Sequence, residues 1–143
     1  MSRFWRPALR AQYALLALLD PLIRRWWRRF GVGNVVEVVV PRRSGGTRSR
    51  LLGLLRAGGG EYLGHPNGHV GWTRDLRAAG RATLVWRGGE RRDVLATLLE
   101  PGPEREAAIL ATNQHPFPGN LVYLLARRHI RAVGVFFRLE RAD

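Results

Sequence analysis

Three glycine-rich turns, each lying between two apolar runs, constrain the fold of this chain more than any other feature. The turns occupy residues 45–46, 58–60 and 88–89, and the flanking runs are short and rich in Val and Leu. Glycines at this spacing predict β-hairpins, in which consecutive strands run antiparallel. Hairpins in place of β-α-β crossovers favour an antiparallel barrel over a doubly wound parallel sheet. We therefore predict a mainly β fold of about six short strands with inserted helices.

Helical patterns interrupt this series of strands at three places. Residues 71–80 fit a short helix, with Gly80 as the left-handed residue that follows its last turn. A second helix begins at Pro103, because two Glu follow it where the helix dipole favours negative charge. Residues 121–129 are typical of a third short helix, and the run AVGVFFRLE at 132–140 predicts a final strand.

The amino-terminal segment is helical by pattern from residue 7 to residue 30, with a break at Asp20-Pro21. Its apolar run at 13–19 is too short to cross a membrane, which takes about 20 apolar residues. A basic start followed by an apolar run also resembles a signal peptide, but no A-x-A-type cleavage site follows. We predict an amphipathic helical segment at 1–30 and a barrel domain at 31–143.

The stretch LIRRWWRRF separates apolar from basic side chains when it is plotted as a helix. The apolar ones lie within an arc of roughly 140°, and the four Arg lie opposite. The apolar set is Leu22, Ile23, Trp26, Trp27 and Phe30. This pattern is typical of a helix at a membrane interface. It equally fits a helix that packs on the barrel or on a dimer partner, or one that docks an acidic protein. We expect a cytoplasmic protein, peripheral on the inner face of the membrane under the first interpretation.

The charge of the chain is strongly positive and comes from Arg alone. The sequence has 24 Arg, no Lys and 11 acidic residues, for a net charge of +13. Replacement of all Lys by Arg, together with 17 Gly, is more typical of a GC-rich genome than of a nucleic-acid-binding code. We therefore expect anionic partners but no nucleic acid. The absence of Cys excludes disulfides, thiolate nucleophiles and Cys-based metal sites.

The stretch EYLGHPNGHVGWTRDL at 61–76 holds two His but does not predict a metal centre. His65 and His69 have the spacing of two ligands on one helix face, yet the residues between them, 66–68, form a turn sequence. Nucleophile elbows and H-E-x-x-H motifs are absent from the sequence. The carboxylates are scattered, and we expect Asp75 to pair with Arg74 or to cap locally.

Anion binding is the chemistry that the motifs favour. Arg42, Arg43 and Arg48 surround the Gly-rich turn in PRRSGGTR at 41–48. Glycines let backbone N–H groups converge on an anion, and guanidinium groups bind phosphate through two parallel hydrogen bonds. The ordinary alternative is a solvated hairpin turn in an Arg-rich protein.

The order of three motifs resembles the deazaflavin-dependent nitroreductase family. These motifs are RRSGGTR at 42–48, GHPNGH at 64–69 and WTRDLRAAGRATL at 72–84. The resemblance implies a split β-barrel of flavin-reductase type that uses coenzyme F420, with FMN as the alternative cofactor. It also implies hydride transfer from the reduced deazaflavin to a small lipophilic, conjugated acceptor such as a quinone or nitro compound. A split-barrel protein that binds deazaflavin, FMN or haem without turnover is the alternative, and a membrane-surface protein is another.

The same resemblance implies which residues hold the cofactor. The turn would bind its phosphate and acidic tail, the loop at 65–68 would lie beside the phosphate or the ring, and the helix after the loop would be anchored through Trp72 and Leu76. His115 is the candidate general acid, with an ordinary loop histidine as the alternative. The implied cofactor-binding residues are Arg42, Arg43, Ser44, Gly45, Arg48, His65, Pro66, Asn67, Gly68 and Trp72.

Overall fold

The computed structural model describes residues 2–142, and within that range seven strands and six α-helices form. The strands are β1 Val35–Pro41, β2 Thr47–Gly53, β3 Leu55–Ala57, β4 Gly60–His65, β5 Arg81–Val85, β6 Arg91–Leu98 and β7 Val135–Arg141. The helices are α1 Ser2–Leu18, α2 Asp20–Phe30, α3 Gly71–Ala79, α4 Pro103–Leu110, α5 Gly119–Leu125 and α6 Arg127–Val133, with a 3-10 turn at Ala111–Gln114.

The strands form one antiparallel sheet in the order β2-β1-β5-β6-β7-β4-β3. The strands at the two ends of this order, β2 and β3, are separated in the chain only by Leu54. They are therefore the two halves of one bent strand. The sheet therefore curls into a barrel, and the predicted split β-barrel fold is confirmed. The prediction of six strands counted this bent strand once.

Alternating side chains fill the interior of the barrel. In β1, Val36, Val38 and Val40 are buried, whereas the residues between them are only partly covered. Trp72 and Leu76 of α3 are 4% and 0% exposed and pack against this core, because positions four apart share one face of a helix. The predicted anchoring role of these two side chains is confirmed.

A second core lies between the barrel wall and the carboxy-terminal helices. Phe136 and Phe137 are consecutive in β7 and both fully buried, but they face opposite sides of the sheet. Phe137 belongs to the barrel interior and Phe136 to the outer cluster with residues of α4, α5 and α6. The single helix predicted at 121–129 is two helices, α5 and α6, that meet at Ala126.

The two amino-terminal helices pack on the barrel domain. Helix α1 buries Leu9 and binds α5 through the hydroxyl groups of Tyr13 and Tyr123, whose oxygens are 2.6 Å apart. Trp27 of α2 is 4% exposed, and its indole Nε1 donates to the carbonyl of Val35 over 2.9 Å. The predicted break before Asp20-Pro21 is confirmed, since α1 ends at Leu18.

The division into a helical segment at 1–30 and a barrel at 31–143 stays a prediction. Met1 and Asp143, the outermost residues of these two segments, lie outside the described residues. No helix between residues 2 and 142 combines the length and the apolar character needed to cross a membrane.

Candidate anion-binding site

The turn between β1 and β2 depends on its two glycines. Arg42 donates its backbone N–H to the carbonyl of Gly46 over 3.0 Å, and Gly45 donates to the carbonyl of Arg42 over 3.1 Å. Gly45 and Gly46 have φ angles of +102° and +70°, a region that side chains with a Cβ rarely adopt. The tight turn holds the side chains of Arg42, Arg43 and Ser44 at the surface.

Asp75 of α3 joins this turn to β2. Its side chain is 3% exposed, and its Oδ1 accepts hydrogen bonds from Nε of Arg43 over 2.8 Å and from the backbone N–H of Arg43 over 3.3 Å. The other oxygen, Oδ2, accepts from Nε of Arg48 over 3.0 Å. The expected pairing of Asp75 with Arg74, or a local cap, is wrong. Asp75 shares the inward face of α3 with Trp72 and Leu76, whereas Arg74 faces solvent.

The carboxylate of Asp75 orients both guanidinium groups. The hydrogen bond from Arg43 holds the pKa of Asp75 below its ordinary value, and the bond from Arg48 acts in the same direction. Asp75 is therefore ionised at neutral pH. Both arginines bind Asp75 through Nε, and their terminal amino groups take no part in these bonds, which leaves those groups able to bind a ligand. The site contains one carboxylate and three guanidinium groups, because Arg42 lies beside Arg43 and Arg48. Its net charge is therefore positive.

An open groove of about 440 Å³ lies over these side chains. Its lining is Arg42, Arg43, Ser44, Arg48 and Asp75. A neighbouring concavity of about 240 Å³ shares some of this lining and extends along α3 to Arg81. Four of the predicted cofactor-binding side chains therefore meet in one place, and Gly45 shapes the turn that carries them. Asp75 is the residue of this site that the sequence analysis did not predict. It lies three positions after the anchoring Trp72, and this spacing would have placed it on the inward face of the helix.

The predicted cofactor-binding loop at 65–68 is covered by α1. His65 and Asn67 are 4% and 7% exposed, and Pro66 is buried as well. The Tyr13 ring lies against His65 with centroids 4.8 Å apart, and Asn67 Nδ2 donates to the carbonyl of Arg6 over 3.1 Å. Burial lowers the pKa of His65 to about 4. Contact of this loop with a cofactor stays a prediction, and it requires α1 to move.

Gly71, three residues after this loop, lies close to the guanidinium group of Arg48 in the groove. A Cβ placed on Gly71 would lie 3.0 Å from Nη1 of Arg48, so a small residue is needed where α3 begins. Trp72 follows directly but faces the barrel core. No residue of the motif at 64–69 lines the groove, and Gly68 is only partly covered.

His115 lies at the opposite end of β2 from the groove. Its ring stacks on Tyr123 with centroids 4.5 Å apart and lies directly against Gly53. Gly53 is six residues beyond Thr47, which is about 20 Å along a strand. Burial lowers the pKa of His115 to about 4, so the imidazole is neutral at physiological pH. The structure does not bring His115 to the Arg groove, and its catalytic role stays a prediction.

The histidines of the loop bind protein groups. His65 Nδ1 lies 3.1 Å from the carbonyl of Gly68, and His69 Nδ1 lies 3.2 Å from Oγ1 of Thr73. Within residues 2–142, no three His, Asp or Glu side chains are placed to hold a metal ion together.

Comparison with known proteins identifies the fold. No protein-family model and no curated protein matches the chain. HutZ, the haem storage protein from Vibrio cholerae, has a similar structure, with a TM-score of 0.58, 13% sequence identity, and coverage of 87% of this chain and 91% of that one. A candidate pyridoxamine 5′-phosphate oxidase from Listeria innocua aligns with a TM-score of 0.52 and 12% identity over 87% and 94% of the two chains. A domain-swapped dimer aligns with a TM-score of 0.56 and 21% identity over 75% and 80%.

These likenesses place the chain among split β-barrel proteins. At such low identity they define the architecture, in which a closed antiparallel barrel carries helices on its outer wall.

Proposed function

We propose that this protein binds a flavin- or haem-type cofactor through the groove of Arg42, Arg43, Ser44 and Arg48. The observation that carries the proposal is the buried Asp75, which holds Arg43 and Arg48 by Nε. Two guanidinium groups held in this way lose little freedom when they bind a phosphate or carboxylate, and such preorganisation favours affinity. The groove volume lies within the range of small-molecule sites.

Coenzyme F420 is the cofactor that we propose first, with FMN and haem as alternatives. The sequence motif RRSGGTR and the three Arg suit the phosphate and acidic tail of F420. Two observations support the wider class: HutZ is a haem storage protein, and the protein from Listeria innocua is a candidate oxidase for a phosphate ester on the same fold. All three cofactors offer phosphate or carboxylate groups to the same groove.

A reductase function is the more specific form of the proposal. Bound reduced F420 would supply hydride for a conjugated acceptor such as a quinone or nitro compound. The chain itself would bind and orient the cofactor through the Arg groove and exclude water from the reacting atoms. The proton that accompanies the hydride would come from water, because His115 is neutral at physiological pH and lies away from the groove.

Binding titrations with F420, FMN and haemin test the proposal. The wild-type protein is compared with a variant in which Arg42, Arg43 and Arg48 are all replaced by Ala. Arg91→Ala is the matched control, since Arg91 is an exposed Arg on β6 outside the groove. We expect binding of at least one cofactor by the wild type and the control, and a loss of more than about tenfold in the triple variant. Equal affinity in a folded triple variant would exclude the groove.

Turnover separates the enzyme from a binding protein. Reduced F420 is mixed with the wild-type protein, and its oxidation is followed after menadione is added. Oxidation that depends on the protein supports the reductase, whereas tight binding without oxidation across several quinones and nitro compounds supports a cofactor carrier.

We also propose a homodimer in the cytoplasm, peripheral on the inner face of the membrane. The domain-swapped dimer among the structural neighbours supports self-association. Sedimentation velocity of the full chain distinguishes the monomer from the dimer.

A further inference from the structure

Exposed apolar side chains concentrate on the helical side of the molecule. Among the described residues, fourteen large hydrophobic side chains are exposed, and Leu95 is the single one on a strand. The other thirteen lie between Phe4 and Phe30 or in the stretch from Leu110 to Leu125. The barrel wall is therefore polar, and the helical side of the molecule is not.

Helix α2 divides its apolar residues between two faces. Trp27 points inward, and Arg24 on the same side binds Asp20 and Glu37. Leu22, Trp26 and Phe30 are four residues apart and are 65%, 59% and 56% exposed. They form an outward stripe, in which the rings of Trp26 and Phe30 lie 4.6 Å apart. Packing on the barrel thus accounts for the buried Trp27 and the partly covered Ile23, and it leaves the other three residues of the apolar arc uncovered.

The second apolar stretch lies beside the first. Tyr13 of α1 hydrogen-bonds Tyr123 of α5, so these two helices, which both carry exposed leucines, lie against each other. A Cβ on Gly33, just after α2, would lie 3.3 Å from Pro116, which places Phe117 near the end of α2. Phe117 is 78% exposed. We define the helical face as α1, α2 and residues 110–125, which these two contacts link.

Positive charge surrounds this apolar surface. Residues 1–30 and 110–133 contain ten Arg and one acidic residue, Asp20, which is already paired with Arg24. Arg25, Arg28 and Arg29 are exposed beside the stripe, and the Arg29 guanidinium lies 5.4 Å from the ring centroid of Phe30. A second copy docked here would place Arg against Arg without carboxylates to pair them, which disfavours self-association through this face.

We propose that the helical face docks on the surface of an anionic lipid bilayer. The stripe of Leu22, Trp26 and Phe30 enters the boundary between headgroups and acyl chains, and the exposed Arg side chains bind the headgroups. The side chain of Phe117, in the second apolar stretch at 110–125, also enters this boundary. The face shares no residue with the Arg groove, so docking can be tested separately from cofactor binding at that groove.

Co-sedimentation of the full chain with vesicles tests the docking. Vesicles of phosphatidylcholine with phosphatidylglycerol are compared with vesicles of phosphatidylcholine alone. We expect binding to the anionic vesicles that weakens as salt rises. The double variant Trp26→Glu, Phe30→Glu should lose more than about tenfold in affinity, and Phe117→Glu should lose part of it. Leu95→Glu, the matched exposed position on β6, should bind like the wild type.

Three outcomes would overturn the docking proposal. The wild-type chain could stay in the supernatant with anionic vesicles, or the double variant could pellet as the wild type does. Alternatively, sedimentation velocity could show a wild-type dimer that becomes a monomer in the double variant, which would assign the face to a second copy. Circular dichroism confirms that each variant is folded, and an unchanged cofactor titration in the double variant separates this result from the proposed function.

Discussion

At the scale of single residues, Asp75 decides what the Arg-rich turn can do. Without a carboxylate between them, the guanidinium groups of Arg43 and Arg48 would repel each other and extend into solvent. With it, both are held by Nε beside one groove. A solvated turn and a binding site share the same motif, and a residue about 30 positions away in the sequence makes the difference.

Replacement of Asp75 by Asn should change the response of stability to acid. The pKa of Asp75 is lowered in the folded state, so its contribution to stability is present above the ordinary pKa and is lost as pH falls through the lowered value. We expect the wild type to be more stable than Asp75→Asn at pH 7, and the two to converge at low pH. Urea unfolding at several pH values measures this difference.

Asp93→Asn is the control for this prediction, because Asp93 is an exposed carboxylate on β6. The prediction is contradicted if the difference in unfolding free energy between the wild type and Asp75→Asn stays constant from pH 7 to strongly acidic conditions. In that case protonation of Asp75 would not cause the loss of stability.

At the scale of elements, close contacts fix how the helices meet the barrel. Strand β2 lies against His115 only because residue 53 is Gly, and α1 lies on α5 through two tyrosine hydroxyls. Both contacts join segments that are distant in the chain. They belong to the outer side of the barrel, where the helices cover or uncover the predicted cofactor loop.

Substitution of Gly53 by Ala should destabilise the fold. The added Cβ would overlap the imidazole of His115, and overpacking of this kind costs about 1–3 kcal/mol. Urea unfolding of Gly53→Ala measures the loss. Gly88→Ala is the matched control, since a Cβ there meets nothing within 4 Å and its effect should be small.

Removal of the ring tests the cause of the Gly53 effect. The double variant Gly53→Ala, His115→Ala should be destabilised less than the sum of the two single variants, because the overlap is gone. Strict additivity would mean that His115 is not the residue that the added methyl group displaces.

The contact between α1 and α5 should weaken at alkaline pH. Burial raises the pKa of Tyr13 from 10.0 to about 12, and burial also raises the pKa of Tyr123. A raised pKa means that the stabilisation is complete below pH 10.0 and is lost as pH rises toward 12. We expect the unfolding free energy of the wild type to fall over this interval, as measured by urea titration.

The variant in which Tyr13 and Tyr123 are both replaced by Phe should show a shallower fall, because it has no phenol to ionise at this contact. Tyr13→Phe alone should cost about 1–3 kcal/mol at neutral pH, since the hydroxyl of Tyr123 would remain buried without its partner. A wild-type curve that is parallel to that of the double variant up to pH 12 would count against the assigned contact.

At the scale of the whole molecule, the amino-terminal helices belong to the packed structure even though they precede the barrel. Leu9 and Trp27 are almost fully buried against it. Their outer sides carry the exposed apolar residues and Arg of the helical face. One segment thus buries side chains on its inner side and carries the proposed docking surface on its outer side.

A chain shortened to residues 31–143 should be much less stable than the full protein. Loss of the buried Trp27 side chain alone corresponds to about 3–5 kcal/mol, and the loop at 65–68 would lose its cover. Thermal unfolding of both chains measures the effect. An unchanged melting temperature would show that the barrel is an independent domain and that α1 and α2 are only attached to it.

The sequence by itself determined the elements and the fold class. Glycine pairs between Val- and Leu-rich runs specify hairpins through local backbone geometry, and Gly80, with φ of +66°, ends α3 where the pattern predicts it. The turn motif was also visible, because Arg42, Arg43 and Arg48 are close in sequence. These are short-range properties of the chain, and local patterns are sufficient to predict them.

Only the tertiary structure decided which side chains meet. Three features each depend on segments that are distant in the chain: the pairing of Asp75 with Arg43 and Arg48, the burial of His65 beneath α1, and the position of His115 against Gly53. The same packing selected Trp27 as the buried residue and left Trp26 exposed, although both belong to one apolar arc. A helical wheel records the direction of each side chain, but it contains no information on the neighbouring element that covers it.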